Sequence, residues 1–270
     1  MKMAANRKIW VAAMVCAATV VGVTGCSKGD ENKAKSDKKE PVASASASTP
    51  PPPVDPFKGL DADTIADRAL TATKGATSFR MVGDGEADGE QLKLDLALDD
   101  KGACIGKMGL KDATADLLRA DKVMYMKANA KFWQVTAGEG ASAEEGNAMA
   151  EVLKGRWMKM SGKNAGELAD VCDLKSQRKE MDKDRGKRTG MTRGADTEVD
   201  GKAAVTLTKK QSNGDTFTMY VAKEGEPFVL KTVETGSDGP GTLVLSEYNK
   251  PVKATAPPAD QVMDLAKFGG

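Results

Sequence analysis

The side chains with which this chain could do chemistry are its cysteines and carboxylates, because its 270 residues include no histidine. Without histidine, a Ser-His-Asp triad, a Cys-His pair, the HExxH zinc motif and imidazole acid–base catalysis are all excluded. The carboxylates mostly alternate with apolar residues or lie in turns, which is typical of solvated faces, and the sequence has neither a GxGxxG motif nor a Walker loop. The residue types therefore predict that the protein is not an enzyme and uses no cofactor and no metal.

Cys26 ends an N-terminal segment that has the features of a bacterial secretion signal. Three basic residues within the first eight precede an uncharged run over 9–23, which is short for a membrane-spanning helix of about 20 apolar residues. The residues VTGC at 23–26 resemble a lipobox, the motif in which a diacylglyceryl group is attached to the cysteine before cleavage. The alternative is an ordinary signal peptide with a chance cysteine. The lipobox interpretation predicts a signal peptide over 1–25 and a lipoprotein that fatty acyl chains such as palmitate tether to the outer face of the cell membrane.

Cys104 and Cys172 are the two cysteines that remain, because Cys16 leaves with the predicted signal and Cys26 is predicted to be lipidated. An even pair in an oxidising compartment predicts a disulfide between them. That bond would leave no thiolate for catalysis or for zinc. The alternative is a pair of free, buried thiols.

The stretch 26–58 has the composition of a tether. After the lipidated Cys26 come Lys, Asp and Glu, then alternating Ala and Ser, then four prolines at 50–53. Almost none of these side chains could join a core, so we predict a disordered Lys/Ser/Pro-rich linker followed by one folded domain over 59–270.

The net charge gives no reason to expect a nucleic-acid partner. The formal charge is +1, and the predicted signal removes three basic residues, which leaves the mature chain near −2. We therefore expect no nucleic-acid partner. The lipid anchor makes the membrane the expected partner, and we expect the protein to be a monomer.

Hydrophobic periodicity predicts helices and strands in alternating groups. A helix is expected over 60–74, capped by Asp61 or Asp63, and period-two alternation predicts a strand over 91–98. Further strands are expected near 103–109, 113–119, 122–127 and 131–135. Two helices, around 142–153 and 164–174, and a short strand at 155–160 interrupt the series, and a basic stretch over 175–193 follows. A second group of strands covers 203–210, 216–222, 227–235 and 242–248, and a short helix is expected over 257–264.

This order predicts an α+β fold: a curved antiparallel sheet, or half-barrel, with helices covering its concave face. A sheet this wide must curl, and a curled sheet covered by helices can leave an apolar hollow for a small molecule.

Several segments resemble the LolA-like lipoproteins of actinobacteria, of the LppX/LprG type. The segments that carry this resemblance are 104–106, 115–119, 123–127, 131–133, 155–159, 246–252 and 256–258. The resemblance implies a LolA-like half-barrel around a hydrophobic cavity, and some members of that family carry acylated lipids or glycolipids across the cell envelope. It supports the fold more strongly than the function, because many other members have no known ligand.

Apolar residues on alternating strand positions are the candidates for the wall of such a cavity. They are Leu92, Leu94, Leu96, Leu98, Met124, Met126, Phe217, Met219, Val221, Leu243 and Leu245, and on the strand predicted near 122–127 Val123 and Tyr125 are the alternatives to the two methionines. Methionine adapts to an acyl chain of variable shape. The alternative is that all of these residues fill an ordinary core.

Two functions are therefore compatible with the sequence. The first is an extracytoplasmic, membrane-anchored lipoprotein that binds a lipid or other hydrophobic ligand in an internal cavity, for transport of envelope lipids. The second is a structural or signalling lipoprotein with a packed core that binds a protein partner. The basic stretch over 175–193 either contacts anionic lipid headgroups or is a solvated loop.

Overall fold

The structure is a computed structural model that describes residues 55–87, 90–136, 143–160, 162–183, 188–236 and 240–264. Cys26, the predicted signal peptide and most of the predicted linker lie outside the described residues. The described residues belong to one compact unit.

Twelve strands form one sheet. They are β1 (Ser78–Ala87), β2 (Glu90–Asp99), β3 (Cys104–Leu110), β4 (Ala113–Ala120), β5 (Val123–Ala128), β6 (Trp157–Lys159), β7 (Thr192–Val199), β8 (Lys202–Lys210), β9 (Thr216–Ala222), β10 (Val229–Thr235), β11 (Gly241–Ser246) and β12 (Val262–Asp264). Their order across the sheet is β12-β6-β5-β4-β3-β2-β1-β11-β10-β9-β8-β7. Every neighbouring pair is antiparallel except β6 and β12, which are parallel.

The described residues also form five α-helices on the core side of the sheet. They are α1 (Ala62–Gly75), α2 (Ala130–Thr136), α3 (Ala143–Leu153), α4 (Gly162–Val171) and α5 (Leu174–Lys183). Helix α1 packs on β7, β9 and β10, whereas α2 packs on β4 and α4 on β5. The α+β fold is therefore the expected one, a wide, mostly antiparallel sheet with helices packed on one face.

The core lies between the helices and the inward-facing residues of the sheet. On α1, Ile65, Ala66 and Ala69 have no exposed surface. On the sheet, Leu96 pairs with Met81 of β1, and both side chains belong to the same buried cluster as α1. Alternation of apolar and polar residues along each strand thus decides which face is covered.

The chain joins this core a little before the predicted end of the linker at residue 58. The side chain of Phe57 is only 3% exposed and packs in the core cluster. The carboxylate of Asp55 accepts a hydrogen bond from the Phe57 amide at 3.1 Å, which fixes the turn that leads into the domain.

Most predicted elements are present close to their predicted positions. Helix α1 is capped by Asp61, whose Oδ1 accepts a hydrogen bond from the Thr64 amide at 2.7 Å. The strand predicted over 91–98 is β2, and the other long strands of both groups lie within two residues of their predicted starts.

The strand predicted at 131–135 is wrong, because these residues form helix α2. Its start is set by Asn129, whose side-chain oxygen accepts a hydrogen bond from the Phe132 amide at 2.9 Å. The Asn129 side chain also donates to the Asp112 carbonyl at 2.7 Å. An asparagine that caps a helix and also ties two turns together outweighs the strand preference of Phe132 and Trp133.

Two other local predictions need correction. The stretch over 175–193, offered as a solvated loop, contributes α5 and the start of β7. The helix expected over 257–264 is a single 3-10 turn followed by β12, because pairing with β6 extends the chain there.

Strands β1 and β7 were not predicted. Glycine and charged residues interrupt the apolar alternation of β1, and residues 192–198 of β7 are all exposed. Both strands exist because their backbones pair with neighbours that have strong patterns of their own.

The structure joins Cys104 to Cys172 as a disulfide with a Cα–Cα distance of 5.4 Å. Both residues are fully buried. Because Cys104 begins β3 and Cys172 lies between α4 and α5, the bond attaches this helix pair to the middle of the sheet.

We expect the double variant Cys104→Ser/Cys172→Ser to have an unfolding free energy about 4 kcal/mol lower than that of the native chain, measured by urea unfolding. The bond joins two residues that are 68 positions apart in the sequence, and it therefore restricts the unfolded chain. Dithiothreitol should destabilise the native chain by a similar amount and leave the double variant unchanged. Equal stability of the native chain with and without the reductant would contradict a stabilising role for the bond.

A buried hydroxyl cluster fixes the far end of α1. The hydroxyl of Thr73 accepts a hydrogen bond from the Val229 amide at 3.0 Å, and the hydroxyl of Tyr248 donates to the Val229 carbonyl. The Phe228 ring stacks on Tyr248 with 4.0 Å between ring centroids. Burial raises the pKa of the Tyr248 phenol, which therefore stays neutral and acts as a donor.

Replacing Tyr248 by Phe should lower the unfolding free energy by about 1–3 kcal/mol, because the Val229 carbonyl loses a buried donor. Tyr125→Phe is the matched control, since no hydrogen bond of the Tyr125 hydroxyl is seen within the described residues. Urea unfolding measures both, and equal losses in the two variants would show that the Tyr248 hydroxyl is not a specific anchor.

Candidate functional site

One end of the concave face carries a hollow of about 270 Å³. We call it the end hollow. Its lining residues are Gly83, Asp84, Gly85, Leu92, Leu94, Phe217, Thr232, Glu234, Gly241, Thr242 and Leu243. All of them belong to five adjacent strands, β2, β1, β11, β10 and β9, and none of them belongs to a helix. The end hollow is therefore a part of the inner face that the helices leave uncovered.

Three strand glycines create the space. Gly85 of β1 pairs directly with Gly241 of β11. Gly83, two residues closer to the middle of β1, pairs with Leu243. A Cβ atom on Gly83 would lie 3.6 Å from Leu243 and 3.6 Å from Leu94, so a side chain at this position would occupy the end hollow without a backbone clash. Strands β1 and β11 carry Phe79, Met81 and Leu245 elsewhere, but here Leu243 is the large side chain that they contribute to the inner face.

The structure divides the eleven cavity candidates into two groups. The four that line the end hollow are Leu92, Leu94, Phe217 and Leu243. The seven that lie in the packed core, each at most 4% exposed, are Leu96, Leu98, Met124, Met126, Met219, Val221 and Leu245. All eleven face the same side of the sheet, as the strand patterns indicate, and their assignment to a ligand site stays a prediction.

The choice left open on β5 is decided by register. Met126 pairs with Leu117, and Met124 pairs with Arg119, on the inner face. Met124 and Met126 are 4% and 3% exposed, whereas Val123 and Tyr125 are only partly buried and lie on the outer face.

The walls of the end hollow are apolar and its ionisable lining residues are acidic. They are Asp84 and Glu234, and no basic residue is found among the described residues that line the end hollow. Asp84 alternates with Gly83 and Gly85, so its carboxylate lies on the outer face of the sheet. Glu234 lies on the inner face opposite Phe217, and its Oε1 accepts a hydrogen bond from the Gln211 side chain at 2.9 Å.

This volume suits a small ligand. Pockets for drug-sized molecules run from roughly 300 to 1,000 Å³, so about 270 Å³ is slightly below that range. An apolar cavity of about 150 Å³ holds one benzene, and the same ratio gives the end hollow room for about ten carbon atoms. A longer chain would have to extend past the ends of the strands.

The basic stretch at 175–193 forms contacts within the protein where it is described. Arg178 donates to the Ala76 carbonyl at 2.8 Å, and Asp182 of the same helix binds Lys74 at 2.6 Å. Lys183 binds Glu180 at 2.6 Å. The first two contacts attach α5 to the end of α1, and the third lies within α5.

Other kinds of site are not found in the described part of the chain. It contains no group of three or more Cys, Asp or Glu residues placed to hold a metal ion. None of its helices has the length and apolar character needed to cross a membrane.

Sequence reasoning missed the glycines that make the end hollow. The pattern GDGE at 83–86 was a detectable signal, because two glycines two residues apart in a strand face the same side. It pointed to a hollow only once β1 was known to be a strand and β11 its partner.

Comparisons with known proteins concern the fold. No protein-family model and no curated protein sequence matches the chain. The structure is similar to LprF from Mycobacterium bovis, with 16% identity and a TM-score of 0.48 over 73% of this chain and 96% of that one. It is also similar to lipoprotein LppX from Mycobacterium tuberculosis, with 14% identity and a TM-score of 0.40 over 72% and 97%. A protein from Thermus thermophilus aligns with 11% identity and a TM-score of 0.34 over 75% and 98%. At these identities the similarity is one of fold alone.

Proposed function

We propose that this protein is an extracytoplasmic lipoprotein that binds one hydrophobic ligand in the end hollow. The observation that carries the proposal is the uncovered patch of inner sheet face at Gly83, Gly85 and Gly241, whose walls are apolar. Covering an exposed apolar sheet face with a ligand is favourable, by about 25 cal/mol for each Å² of apolar surface removed from water.

The ligand chemistry follows from the lining. Leu92, Leu94 and Leu243 suit an alkyl chain, and the capacity of about ten carbon atoms suits one chain rather than several. Glu234 at the inner rim repels an anion and can accept a hydrogen bond from a hydroxyl group. We therefore infer a ligand with a single inserted alkyl chain and a neutral, hydroxyl-bearing end, such as part of a lipid or glycolipid. Transport of that ligand through the envelope is the role we assign to the site.

Two features support the proposed location of the protein outside the cytoplasm. A disulfide that is fully buried suits an oxidising compartment outside the cytoplasm. The VTGC sequence at 23–26 supplies a lipidation site at Cys26, and the residues that follow to about 54 form the tether. The domain from about 55 onward then stands outside the membrane as a monomer. The chain uses no enzymatic chemistry and no cofactor in this proposal.

Filling the end hollow should abolish ligand binding. In Gly83→Leu, the new side chain projects between Leu94 and Leu243, and we expect it to weaken the binding of 1-decanol at least tenfold, measured by isothermal titration calorimetry. Gly194→Leu is the matched control. It is also a strand glycine, with space for a Cβ atom 3.5 Å from Thr206, and it lies on β7 away from the end hollow. Decanol binding that survives Gly83→Leu, or that is lost equally in Gly194→Leu, would place the ligand elsewhere.

The same titration with decanoate tests whether Glu234 disfavours a negatively charged ligand. Decanoate has the same number of carbon atoms but carries a negative charge, and it should bind at least fivefold more weakly than decanol at pH 7 because Glu234 opposes it. Glu234→Gln should reduce the difference. Equal affinity of the native chain for decanol and decanoate would show that Glu234 does not select against a charged ligand.

Membrane attachment should depend on Cys26. We expect the Cys26→Ser precursor to lose the mass of the diacylglyceryl group and to leave the membrane fraction after cell lysis, measured by intact mass spectrometry and fractionation. Cys16→Ser is the control and should change neither result. An unmodified wild-type chain would reject the lipobox interpretation and leave an ordinary secreted protein.

The packed core gives a second candidate function its support. Seven of the eleven cavity candidates are buried at 4% or less, so most of the inner face is filled. If neither decanol nor decanoate binds the native chain, the function is that of a structural or signalling lipoprotein that presents a solid domain to a protein partner.

A further inference from the structure

The chain enters the domain at the edge strand β7. Arg193 Nη2 contacts Asp55 Oδ2 at 2.6 Å, and its Nη1 donates to the Phe57 carbonyl at 3.4 Å. Phe57 itself is buried in the core. The first described residues are thus attached to the sheet at a fixed point, and whatever precedes them leaves the domain from there.

This point lies at the same end of the sheet as the end hollow. We define the open end as the end at which β1 stops at Ala87 and β2 starts at Glu90, and the closed end as the opposite one. Arg193 pairs with Leu207 of β8. The same row of pairings continues through Met219 to Thr232, which lines the end hollow.

The contacts of helix α1 independently indicate that the chain enters the domain at the open end. At its start, the Asp63 carboxylate accepts hydrogen bonds from the Gly190 amide at 2.8 Å and the Met191 amide at 2.7 Å, directly before β7 begins at the open end. At its far end, Thr73 binds Val229, where β10 begins at the closed end. The chain therefore enters at the open end and runs away from it along α1.

We propose that the open end faces the membrane that carries the lipid anchor, so that the end hollow exchanges its ligand with the lipid surface of that membrane. This inference rests on the proposed function, because it needs both the anchor at Cys26 and a ligand in the end hollow. The 29 residues over 26–54 connect the anchor at Cys26 to the domain and reach at most about 100 Å when fully extended. They join the domain at the open end, and the closed end lies about 33 Å further away along β1. The distance from the anchor is therefore shorter on average for the open end than for the closed end.

The partner in this arrangement is the lipid surface, and its recognition does not require a specific pattern of charges. The open end carries both signs, as in the ion pair between Lys111 and Glu90. Orientation by the tether should consequently be the same on neutral and on anionic membranes, which separates it from electrostatic docking.

Two labelled variants of the full acylated chain test this orientation. Asp112→Cys places a fluorophore in the turn after β3 at the open end, and Asp100→Cys places one in the turn before β3 at the closed end. Both positions are exposed, and β3 separates them by seven residues, or about 24 Å. Each chain is inserted through its anchor into vesicles of phosphatidylcholine that contain a headgroup-linked quencher.

We expect quenching at Asp112→Cys to exceed that at Asp100→Cys at least twofold, and deletion of residues 43–48 to increase the difference. The twofold difference should persist when one third of the lipid is phosphatidylglycerol. Equal quenching, stronger quenching of Asp100→Cys, or a difference seen only with the anionic lipid would overturn the inference.

Decanol titration of the same labelled chains separates the two proposals. Decanol binding with equal quenching overturns the orientation and keeps the ligand site. Unequal quenching without decanol binding keeps the orientation of the open end and removes the proposed exchange of ligand.

Discussion

The whole structure depends on covering the inner face of one wide sheet. Most of its strands present apolar side chains on this face, and an uncovered apolar face of that size would not be stable in water. Helices α2 and α4 cover it over β4 and β5 on one side, and α1 covers it over β7, β9 and β10 on the other. The cover stops at one end, where Gly83, Gly85 and Gly241 replace large residues and the end hollow begins.

Two covalent or buried polar connections hold that cover in place. The disulfide between Cys104 and Cys172 attaches α4 and α5 to β3. The contacts of Thr73 and Tyr248 with Val229 attach the end of α1 to β10. Both connections lie at the closed end of the sheet, where β3 and β10 begin. The same scaffold places the start of the domain, at Asp55 and Phe57, beside that open end.

The strongly periodic segments of the sequence predicted their own structure. Residues 91–98 alternate so regularly that β2 and its inward face were fixed without any tertiary information. The same holds for α1, whose apolar stripe and Asp61 cap agree. By contrast, β1 and β7 have weak patterns of their own, and residues 131–135 favoured a strand although Asn129 caps a helix there. Where local preference is weak, the partner across the sheet or a capping side chain decides the conformation.

The sequence by itself determined the chemical limits of this protein and the face on which its apolar residues lie. The absence of histidine, the two remaining cysteines and the period of the strands are local properties that need no fold to be read. The tertiary structure alone decided which apolar residues line a hollow and which fill the core. Leu94 and Leu96 are equivalent in the sequence pattern, but Leu94 pairs with Gly83 and lines space, whereas Leu96 pairs with Met81 and is fully buried. The difference depends on the volume of residues more than ten positions away, and only the pairing of strands brings those volumes together.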